Sequence, residues 1–360
     1  MSTKQAKLNL LGLTQKNLGR FFSELGEKPY RTKQIMQWIY HQHELNFDNM
    51  LNLSKTLREK LSQIATLRLP ETVSEKQSSD GVVKWVIDLG LNNHIETVYI
   101  PEKSRGTLCI SSQVGCSLAC TFCSTGMQGF NRNLSTAEII SQVIIAASYL
   151  RLKDRRITNV VFMGMGEPLL NEKSVYDACE LLLDDLAFGL SRRKVTISTS
   201  GIVPALYRMV DNTPVSLAIS LHAPDDVLRD VLVPINQKYP IKELLEACRH
   251  YLESGEQQRH VLFEYVMLDG INDSANHALA LAKLLKGLEA KVNLIPFNPF
   301  PKTEYARSKA TTISKFQDIL HNKGIRTTTR RTRGDDVDGA CGQLVGQVKD
   351  KTRRTDVRRH

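Results

Sequence analysis

The feature that most constrains the fold is an alternation of apolar, strand-like segments with amphipathic helices from residue 106 onward. Strands are predicted at 107–111, 159–164, 194–199, 215–221, 260–268 and 291–297, with a weaker seventh at 324–331. Helical periodicity lies between them, for example at 135–151, 174–187 and 241–253. This alternation favours a parallel sheet with crossover helices. Because no GxGxxG fingerprint follows the first strand, we predict an α/β fold of the partial (β/α) TIM-barrel type rather than a Rossmann sheet.

The chain is predicted to have four parts. Residues 1–70 carry helical periodicity and predict a small helical accessory domain, with Ser54 as an N-cap. Residues 71–104 contain two alternating segments around a turn-rich stretch, which predict a β-hairpin extension that carries Glu96. The barrel is expected at 105–345 and a basic tail at 346–360.

Composition excludes several classes of protein. Apolar residues make up 41% and charged residues 24% of the 360, which is typical of a globular protein. No apolar run is long enough to span a bilayer, and the first residues lack the apolar core of a signal peptide. Seven cysteines, three of them clustered, favour a reducing compartment and metal-binding or catalytic thiols. We therefore expect a cytoplasmic protein that does not contact membranes.

Positive charge is concentrated at the end of the chain. The net charge is +10, and residues 322–360 contribute +6 of it, from eleven Lys or Arg and five Asp. Arg326, Arg330, Arg331 and Arg333 stand close together there. Such a basic stripe is typical of a protein that binds a polyanion, most often nucleic acid, although a solvated tail would have the same composition.

Three cysteines, Cys116, Cys120 and Cys123, follow the first predicted barrel strand with the spacing C-x3-C-x2-C. Thiolates this close together in one loop can bind three irons of an iron–sulfur cube, which leaves the fourth iron open to a cofactor or substrate. A structural zinc site would need a fourth ligand, and none lies nearby in the sequence. Zinc remains the alternative.

This motif, with Phe122 before its last cysteine and a predicted barrel around it, resembles the radical S-adenosylmethionine (SAM) superfamily. The resemblance implies a [4Fe-4S] cluster whose open iron is chelated by the amino and carboxylate groups of SAM. One electron from the cluster then cleaves the sulfonium to a 5′-deoxyadenosyl radical. The segment 163–168, MGMGEP, resembles the superfamily's glycine-rich motif, in which Gly164 and Gly166 would allow close backbone approach and Glu167 would accept from the methionine ammonium.

Polar residues also stand where later predicted strands end. These are Ser198, Ser220, His222 and Asn298. Each alone is more often a turn cap, but on successive strand ends they form a plausible cofactor ring.

Two further thiols lie outside the cluster motif. Cys109 falls inside the first predicted barrel strand, and Cys341 stands between glycine-rich flanks directly after the arginine cluster. Cys109 could be an ordinary buried thiol. Cys179 and Cys248 stand on amphipathic helices and are expected to pack in the core.

The chain resembles the RlmN family of bacterial dual-specificity RNA methyltransferases, which act on adenine. The segments that carry this resemblance are 109–139, 162–171, 198–206, 219–226 and 336–344. The resemblance runs from the helical N-terminal segment to the Cys341 loop. It implies three sets of residues. The cluster ligands are Cys116, Cys120 and Cys123; the SAM contacts are Gly166, Glu167, Ser198, Ser220, Leu221, His222 and Asn298; the catalytic residues are Glu96, Cys109 and Cys341.

The mechanism implied by the resemblance begins with transfer of a methyl group from one SAM to Cys341. A radical from a second SAM abstracts hydrogen from that methyl, and the methylene radical adds to adenine carbon 2 as a protein–RNA crosslink. Glu96 accepts the carbon-2 proton. Cys109 then attacks Cys341 and releases the product with a transient Cys109–Cys341 disulfide. From sequence alone, Glu96 would more simply be a solvated strand residue.

The implied partners are 23S rRNA, tRNA (at the adenine 3′ of the anticodon) and an electron donor such as flavodoxin or ferredoxin. A monomer is expected. Two rivals remain: a Cfr-type enzyme that methylates carbon 8 of the rRNA adenine, against which the longer N-terminal half weighs, and a non-catalytic, zinc-bearing RNA-binding protein. A methylthiotransferase would require a second cysteine cluster, which Cys179 and Cys248 do not make.

Overall fold

The computed structural model describes residues 7–254, 260–301, 303–340 and 342–344, and for Asp335 the backbone only. In the first 70 residues a short parallel pair of strands joins the two ends of a helical unit. Its elements are β1 (Leu8–Asn9), α1 (Gln15–Glu24), α2 (Tyr30–Met36), α3 (Lys55–Ile64) and β2 (Ala65–Thr66). Ser54 caps α3 as predicted, because its hydroxyl accepts from the Leu57 amide at 3.3 Å.

After residue 70 the chain is built around a ten-stranded sheet with the strand order β14-β13-β12-β11-β10-β9-β6-β5-β4-β3. Its strands are β3 (Glu71–Gln77), β4 (Val83–Asp88), β5 (His94–Pro101), β6 (Gly106–Cys109), β9 (Asn159–Phe162), β10 (Val195–Thr199), β11 (Ser216–Ser220), β12 (Val261–Met267), β13 (Ala290–Pro296) and β14 (Arg326–Thr329). From β6 to β14 all neighbours are parallel, while β3 to β6 are antiparallel.

Helices cover one face of this sheet and short loops bear the functional motifs. The helices are α4 (Ser124–Met127), α5 (Thr136–Arg151), α6 (Glu172–Leu183), α7 (Val203–Asn212), α8 (Asp226–Leu232), α9 (Ile241–Glu253), α10 (Ala275–Leu284) and α11 (Ala310–Asn322). Two short strands, β7 (Gln113–Gly115) and β8 (Phe130–Asn133), pair as a hairpin. They flank residues 116–129, which we call the cysteine loop. No helix in the described ranges is long and apolar enough to cross a membrane.

The sheet curves so that the segment after β14 contacts its antiparallel part. Arg333, just beyond β14, donates from its guanidinium to the carbonyl oxygen of Pro101 at the end of β5. The curvature encloses an inner face, and the predicted parallel, partial-barrel architecture is confirmed. Strand β3 and the β7–β8 hairpin were not predicted. β3 is an exposed edge strand, whose polar residues carry no apolar alternation for periodicity to detect.

Arg229 joins the carboxyl ends of β10 and β11. Its guanidinium donates to the carbonyl oxygens of Ser200 (2.6 Å), Ser220 (3.2 Å) and Leu221 (3.1 Å), and to the side-chain oxygen of Asn236 (2.7 Å). The side chain is fully buried, and burial lowers its pKa to about 10, so it stays charged at neutral pH. Arg229 is not among the residues predicted from sequence, because nothing around an arginine on a short helix indicates that it is buried.

Replacing Arg229 with Met should lower the free energy of unfolding by about 3 kcal/mol, because four acceptors lose a charged donor. Arg229→Lys should recover little, since an ammonium cannot direct donors along the fork of a guanidinium. Urea denaturation of the metal-free protein measures both. Arg249→Met, at an exposed site on α9, is the control and should change stability by less than about 0.5 kcal/mol. Equal losses in the two Met variants would contradict this role.

Candidate active site

The cysteine loop lies at the carboxyl ends of the parallel strands, where the chemistry of such barrels is found. Cys116 directly follows β7, and its amide donates to the Gly129 carbonyl oxygen at 2.8 Å, which closes the loop. The Phe122 ring contacts the imidazole of His222 edge to face, with 4.6 Å between centroids. The loop is therefore held against the end of β11.

One cavity brings together most of the predicted site residues. Its lining includes Cys116, Cys120, Cys123, Gly164, Gly166, Glu167, Ser198, Ser220, His222 and Asn298. Residues that sequence reasoning missed also line it, among them Ser200, Glu264 and Val266. Leu221 does not line the cavity; its side chain is buried, and its backbone amide donates to the Glu264 carbonyl oxygen at 3.1 Å.

Burial raises the pKa of the Cys120 thiol to about 12 and that of Cys116 well above its usual value. Neighbouring cysteines raise both further. A buried thiol of this kind ionises readily only when a bound metal offsets the cost of burying the charge. This behaviour is typical of a metal ligand and not of a solvent-exposed nucleophile.

The three thiols of Cys116, Cys120 and Cys123 have two candidate ligands, an iron–sulfur cluster and a single zinc ion. In the described part of the chain no three His, Cys, Asp or Glu residues are arranged around a single ion. A mononuclear zinc site would bring its sulfur atoms to about 4 Å from one another. Three ligands of a cube each bind a different iron and lie farther apart. The three thiols line one cavity, as three cluster ligands that each bind a different iron would.

Glu167 stands at the turn after β9, with both carboxylate oxygens held by backbone amides. Ser200 N–H donates to Oε2 at 2.8 Å and Leu169 N–H to Oε1 at 3.0 Å. Burial raises the pKa of this carboxyl to about 7, and the two amides and the Thr199 hydroxyl oppose the rise. A buried carboxylate in the cavity wall is suited to accept from a ligand ammonium, which would compensate its burial.

The two glycines before Glu167 are required by close packing. A Cβ on Gly164 would lie 2.7 Å from the carbonyl carbon of Ile110, and a Cβ on Gly166 would lie 2.4 Å from Cβ of Gln113. Gly166 also has a φ of 99°. The backbone at these two glycines therefore approaches residues 110–113, the part of the chain that follows β6. Gln113 also accepts from the Glu167 amide at 2.8 Å, and this contact was not anticipated.

His222 is held as a neutral imidazole. Its Nδ1 accepts from the Val266 amide at 3.0 Å, so the other ring nitrogen carries the hydrogen. Burial lowers its pKa to about 3, and the nearby Arg229 cation adds to the effect. Asn272 donates to the His222 carbonyl oxygen at 2.9 Å and stabilises this turn. Beyond the end of β13, Asn298 accepts from Arg307 at 2.9 Å, which orients its amide.

Glu96 and Cys109 lie on the inner face of the sheet, outside the cavity. Cys109, the last residue of β6, pairs directly with Val98 on β5, and Val98 pairs with Lys84 on β4. Paired residues share a face, and so do residues two apart on a strand, so Glu96 stands on the same face. Cys109, Glu96 and Lys84 are exposed by only 6%, 5% and 5%. The solvated alternative for Glu96 is therefore wrong.

Cys341 lies outside the described residues, but the chain on both sides of it is held. Before it, the Asp338 carbonyl oxygen accepts from Lys84 at 3.2 Å. After it, the Gly342 carbonyl oxygen accepts from the Ser124 amide at 2.9 Å, next to Cys123. The flanking segments thus run from the inner face with Cys109 to the cysteine loop. No disulfide joins two of the described cysteines, and Cys179 and Cys248 are fully buried as predicted.

A groove of about 930 Å³ occupies the inner face beside the cavity, and Glu264 and Asn298 line both. Its walls carry Lys103, Arg105, Arg192, Arg193, Arg330, Arg331 and Arg333 against Glu102 and Glu264. Arg326 is exposed on β14. Three of the four arginines in the basic cluster predicted from sequence, Arg330, Arg331 and Arg333, therefore line a positively charged groove, and Arg326 does not. Residues 345–360 lie outside the described ranges.

Comparison with known proteins agrees with this arrangement. The family model described as ribosomal RNA large subunit methyltransferase N-terminal domain matches residues 8–67, and that of the radical SAM superfamily matches residues 110–282. The dual-specificity RNA methyltransferase RlmN of Ruthia magnifica subsp. Calyptogena magnifica is 68% identical, over 98% of this chain and 99% of that protein. The protein with the same description in Pseudomonas fluorescens (strain SBW25) is 54% identical, over 99% and 94%.

The fold is also that of a solved structure, the crystal structure of a radical SAM methyltransferase from Sphaerobacter thermophilus. Its TM-score is 0.89 at 42% identity, with 94% of this chain and 99% of that chain covered. These similarities confirm the resemblance and the fold class predicted from the motifs. The chain belongs to the RlmN family of dual-specificity RNA methyltransferases, within the radical SAM superfamily.

Proposed function

We propose that this protein methylates carbon 2 of adenine in 23S rRNA and in tRNA, there at the adenine 3′ of the anticodon. The reaction passes through S-methylcysteine at Cys341 and a transient protein–RNA crosslink. The observation that carries the proposal is the course of the chain around Cys341. Asp338 contacts Lys84 on the inner face that bears Cys109 and Glu96, and Gly342 contacts the cysteine loop.

Cys116, Cys120 and Cys123 would hold a [4Fe-4S] cluster, and the same cavity would hold SAM. The SAM contacts proposed are Gly166, Glu167, Ser198, Ser220, Leu221, His222 and Asn298. Together these groups supply a methyl group and, after one-electron reduction, a carbon radical able to abstract hydrogen from an unactivated methyl. Glu167 supports the proposal because its carboxylate lies buried in the cavity wall and is suited to receive an ammonium.

A carried methyl group makes an otherwise inaccessible substitution possible. Carbon 2 of adenine is electron-poor and its hydrogen is not acidic, so it cannot attack a sulfonium directly. Covalent catalysis through Cys341 divides the reaction into feasible steps. Glu96 accepts the carbon-2 proton of the radical adduct, and the unpaired electron of the adduct would return to the oxidised iron–sulfur cluster. Cys109 attacks the Cys341 sulfur; the bond from that sulfur to the methylene carbon breaks, its electron pair goes to the carbon, and the carbon takes up a proton.

The basic groove is proposed to bind the RNA backbone. Single-stranded RNA needs cations for its phosphates and space for an extruded base. The groove provides both beside the cavity, and its cations come from opposite ends of the curved sheet. Electron transfer from a flavodoxin or ferredoxin and a monomeric state complete the proposal.

The cluster assignment predicts that anaerobically reconstituted protein is brown and holds about four irons per chain. Cys120→Ala should lose most of the iron, because a cluster ligand is gone. Cys248→Ala, in the helical layer, is the matched control and should keep it. Metal analysis and the visible absorption spectrum measure both. Colourless protein that binds zinc instead would support the non-catalytic RNA-binding alternative.

The thiol roles predict three different outcomes in a reaction with SAM, reductant and unmodified rRNA fragment or tRNA. Wild type should form 2-methyladenosine, and Cys341→Ala none, because it has no methyl carrier. Cys109→Ala should leave RNA covalently bound to the protein, because the crosslink is not resolved. Mass spectrometry of digested RNA and denaturing gels report these products. Formation of 8-methyladenosine would move the assignment to the Cfr-type reaction, and released product from Cys109→Ala would contradict its role.

If the groove binds the RNA backbone, replacing one of its arginines should make the affinity for RNA depend less on salt concentration. Arg331 is exposed in the groove wall, and Arg331→Gln should reduce the slope of log affinity against log salt by about 0.7, the loss of one single-strand phosphate contact. Lys283→Gln, exposed on helix α10, is the control and should leave the slope unchanged. Fluorescence anisotropy with labelled RNA at several salt concentrations measures both. Identical slopes for the two variants would exclude a phosphate contact at Arg331.

A further inference from the structure

The β3–β4 hairpin holds the segment that leads to Cys341, which we call the approach segment (residues 334–340). Asp336 accepts from the Ser78 hydroxyl and, at 3.1 Å, from the Ser79 amide. Asp80 accepts from the Gly334 amide at 3.2 Å. These contacts lie at the tip of the hairpin, and the contact at Gly334 is to the backbone of the approach segment, so the hairpin holds its main chain as well as the Asp336 side chain.

Lys84 contacts both the approach segment and a proposed catalytic residue. Its ammonium lies 3.4 Å from the Glu96 carboxylate and donates to the Asp338 carbonyl oxygen at 3.2 Å. Both side chains of this ion pair are almost fully buried, exposed by 6% and 7%. Buried ion pairs are sensitive to the loss of one partner, because the remaining charge is left uncompensated. An exposed lysine would hold neither group in place.

We propose that Lys84 is a positioning residue that fixes the Glu96 carboxylate and the approach segment relative to each other, so that Glu96 meets the adenine carried by Cys341. The inference rests on the proposed function. The step that it concerns is removal of the carbon-2 proton from the radical adduct: the C–H bond breaks, the proton goes to a Glu96 oxygen, and the electron pair of that bond stays in the ring. The unpaired electron left by radical addition would pass to the oxidised iron–sulfur cluster, which donated one electron earlier in the cycle. Lys84 does not touch the reacting atoms.

Geometry explains why a lysine at this place matters. Proton transfer requires the carboxylate within hydrogen-bond reach of the carbon that loses the proton, and an error of about 1 Å can slow a step by up to about 100-fold. The approach segment brings the substrate, through Cys341, and β5 brings the base. Lys84 contacts both, so it ties together the two parts whose distance determines this step.

The experiment uses the reconstituted holoenzyme with RNA that carries hydrogen or deuterium at adenine carbon 2. Lys84→Met should still methylate Cys341 and form the crosslink, but release 2-methyladenosine about 10- to 100-fold more slowly. The crosslink should accumulate, and release should show a larger deuterium isotope effect than wild type, because proton removal has become limiting. Lys84→Arg should restore much of the rate, since it keeps a charged donor.

Lys76→Met is the matched control. Lys76 pairs with Lys84 across the same hairpin but is exposed, and its loss should leave release and the isotope effect unchanged. Release from Lys84→Met at the wild-type rate and isotope effect would overturn the proposal. Equal loss of Cys341 methylation and release, without rescue by Lys84→Arg, would also overturn it, because Lys84 would then be only structural. A wild-type enzyme that makes neither crosslink nor product would instead refute the proposed function.

Discussion

The parallel register of β6 and β9 to β14 puts the carboxyl ends of seven strands on one edge of a curved sheet, and the site depends on this arrangement. The cysteine loop, the Glu167 turn and the His222 turn come from distant parts of the chain. The Glu167 turn follows β9, the His222 turn follows β11, and the cysteine loop follows β6 by way of the short strand β7, so the sheet brings all three to one cavity. Arg229 then joins two of these strand ends through buried hydrogen bonds. The cavity is thus a property of the sheet more than of any single loop.

Curvature has a second consequence, because it brings the segment after β14 back to the antiparallel extension. The segment after β14 contacts the end of β5 and the β3–β4 hairpin, and from there it continues to the cysteine loop. Cys109 and Glu96 face the same interior. In the proposed reaction, Cys341 has to serve the cofactor, the base and the resolving thiol in turn. The described residues on either side of Cys341 contact the inner face and the cysteine loop, Asp338 through Lys84 and Gly342 through Ser124.

Electrostatics divides the interior into two environments. In the cavity, burial raises the pKa of Cys116, Cys120 and Glu167. The charged forms of these side chains are therefore stable there only beside a positive charge, such as a metal or an ammonium group. The groove beside it carries an excess of cations suited to phosphates. One wall, which includes Glu264, is shared by the two. A base extruded from RNA held in the groove would therefore lie close to the chemistry.

By itself, the sequence determined the α/β alternation, the cysteine motif, the glycine-rich turn and the polar residues at strand ends, because these features depend on local spacing. The burial of Glu96, its ion pair with Lys84 and the role of Arg229 were decided only by the tertiary structure. A lone Glu or Arg looks the same in sequence whether it faces water or the core. Edge strand β3 was likewise invisible to periodicity, since its exposed faces need no apolar residues. The difference is physical: local patterns follow from backbone geometry, while burial and pairing follow from which strands the fold brings together.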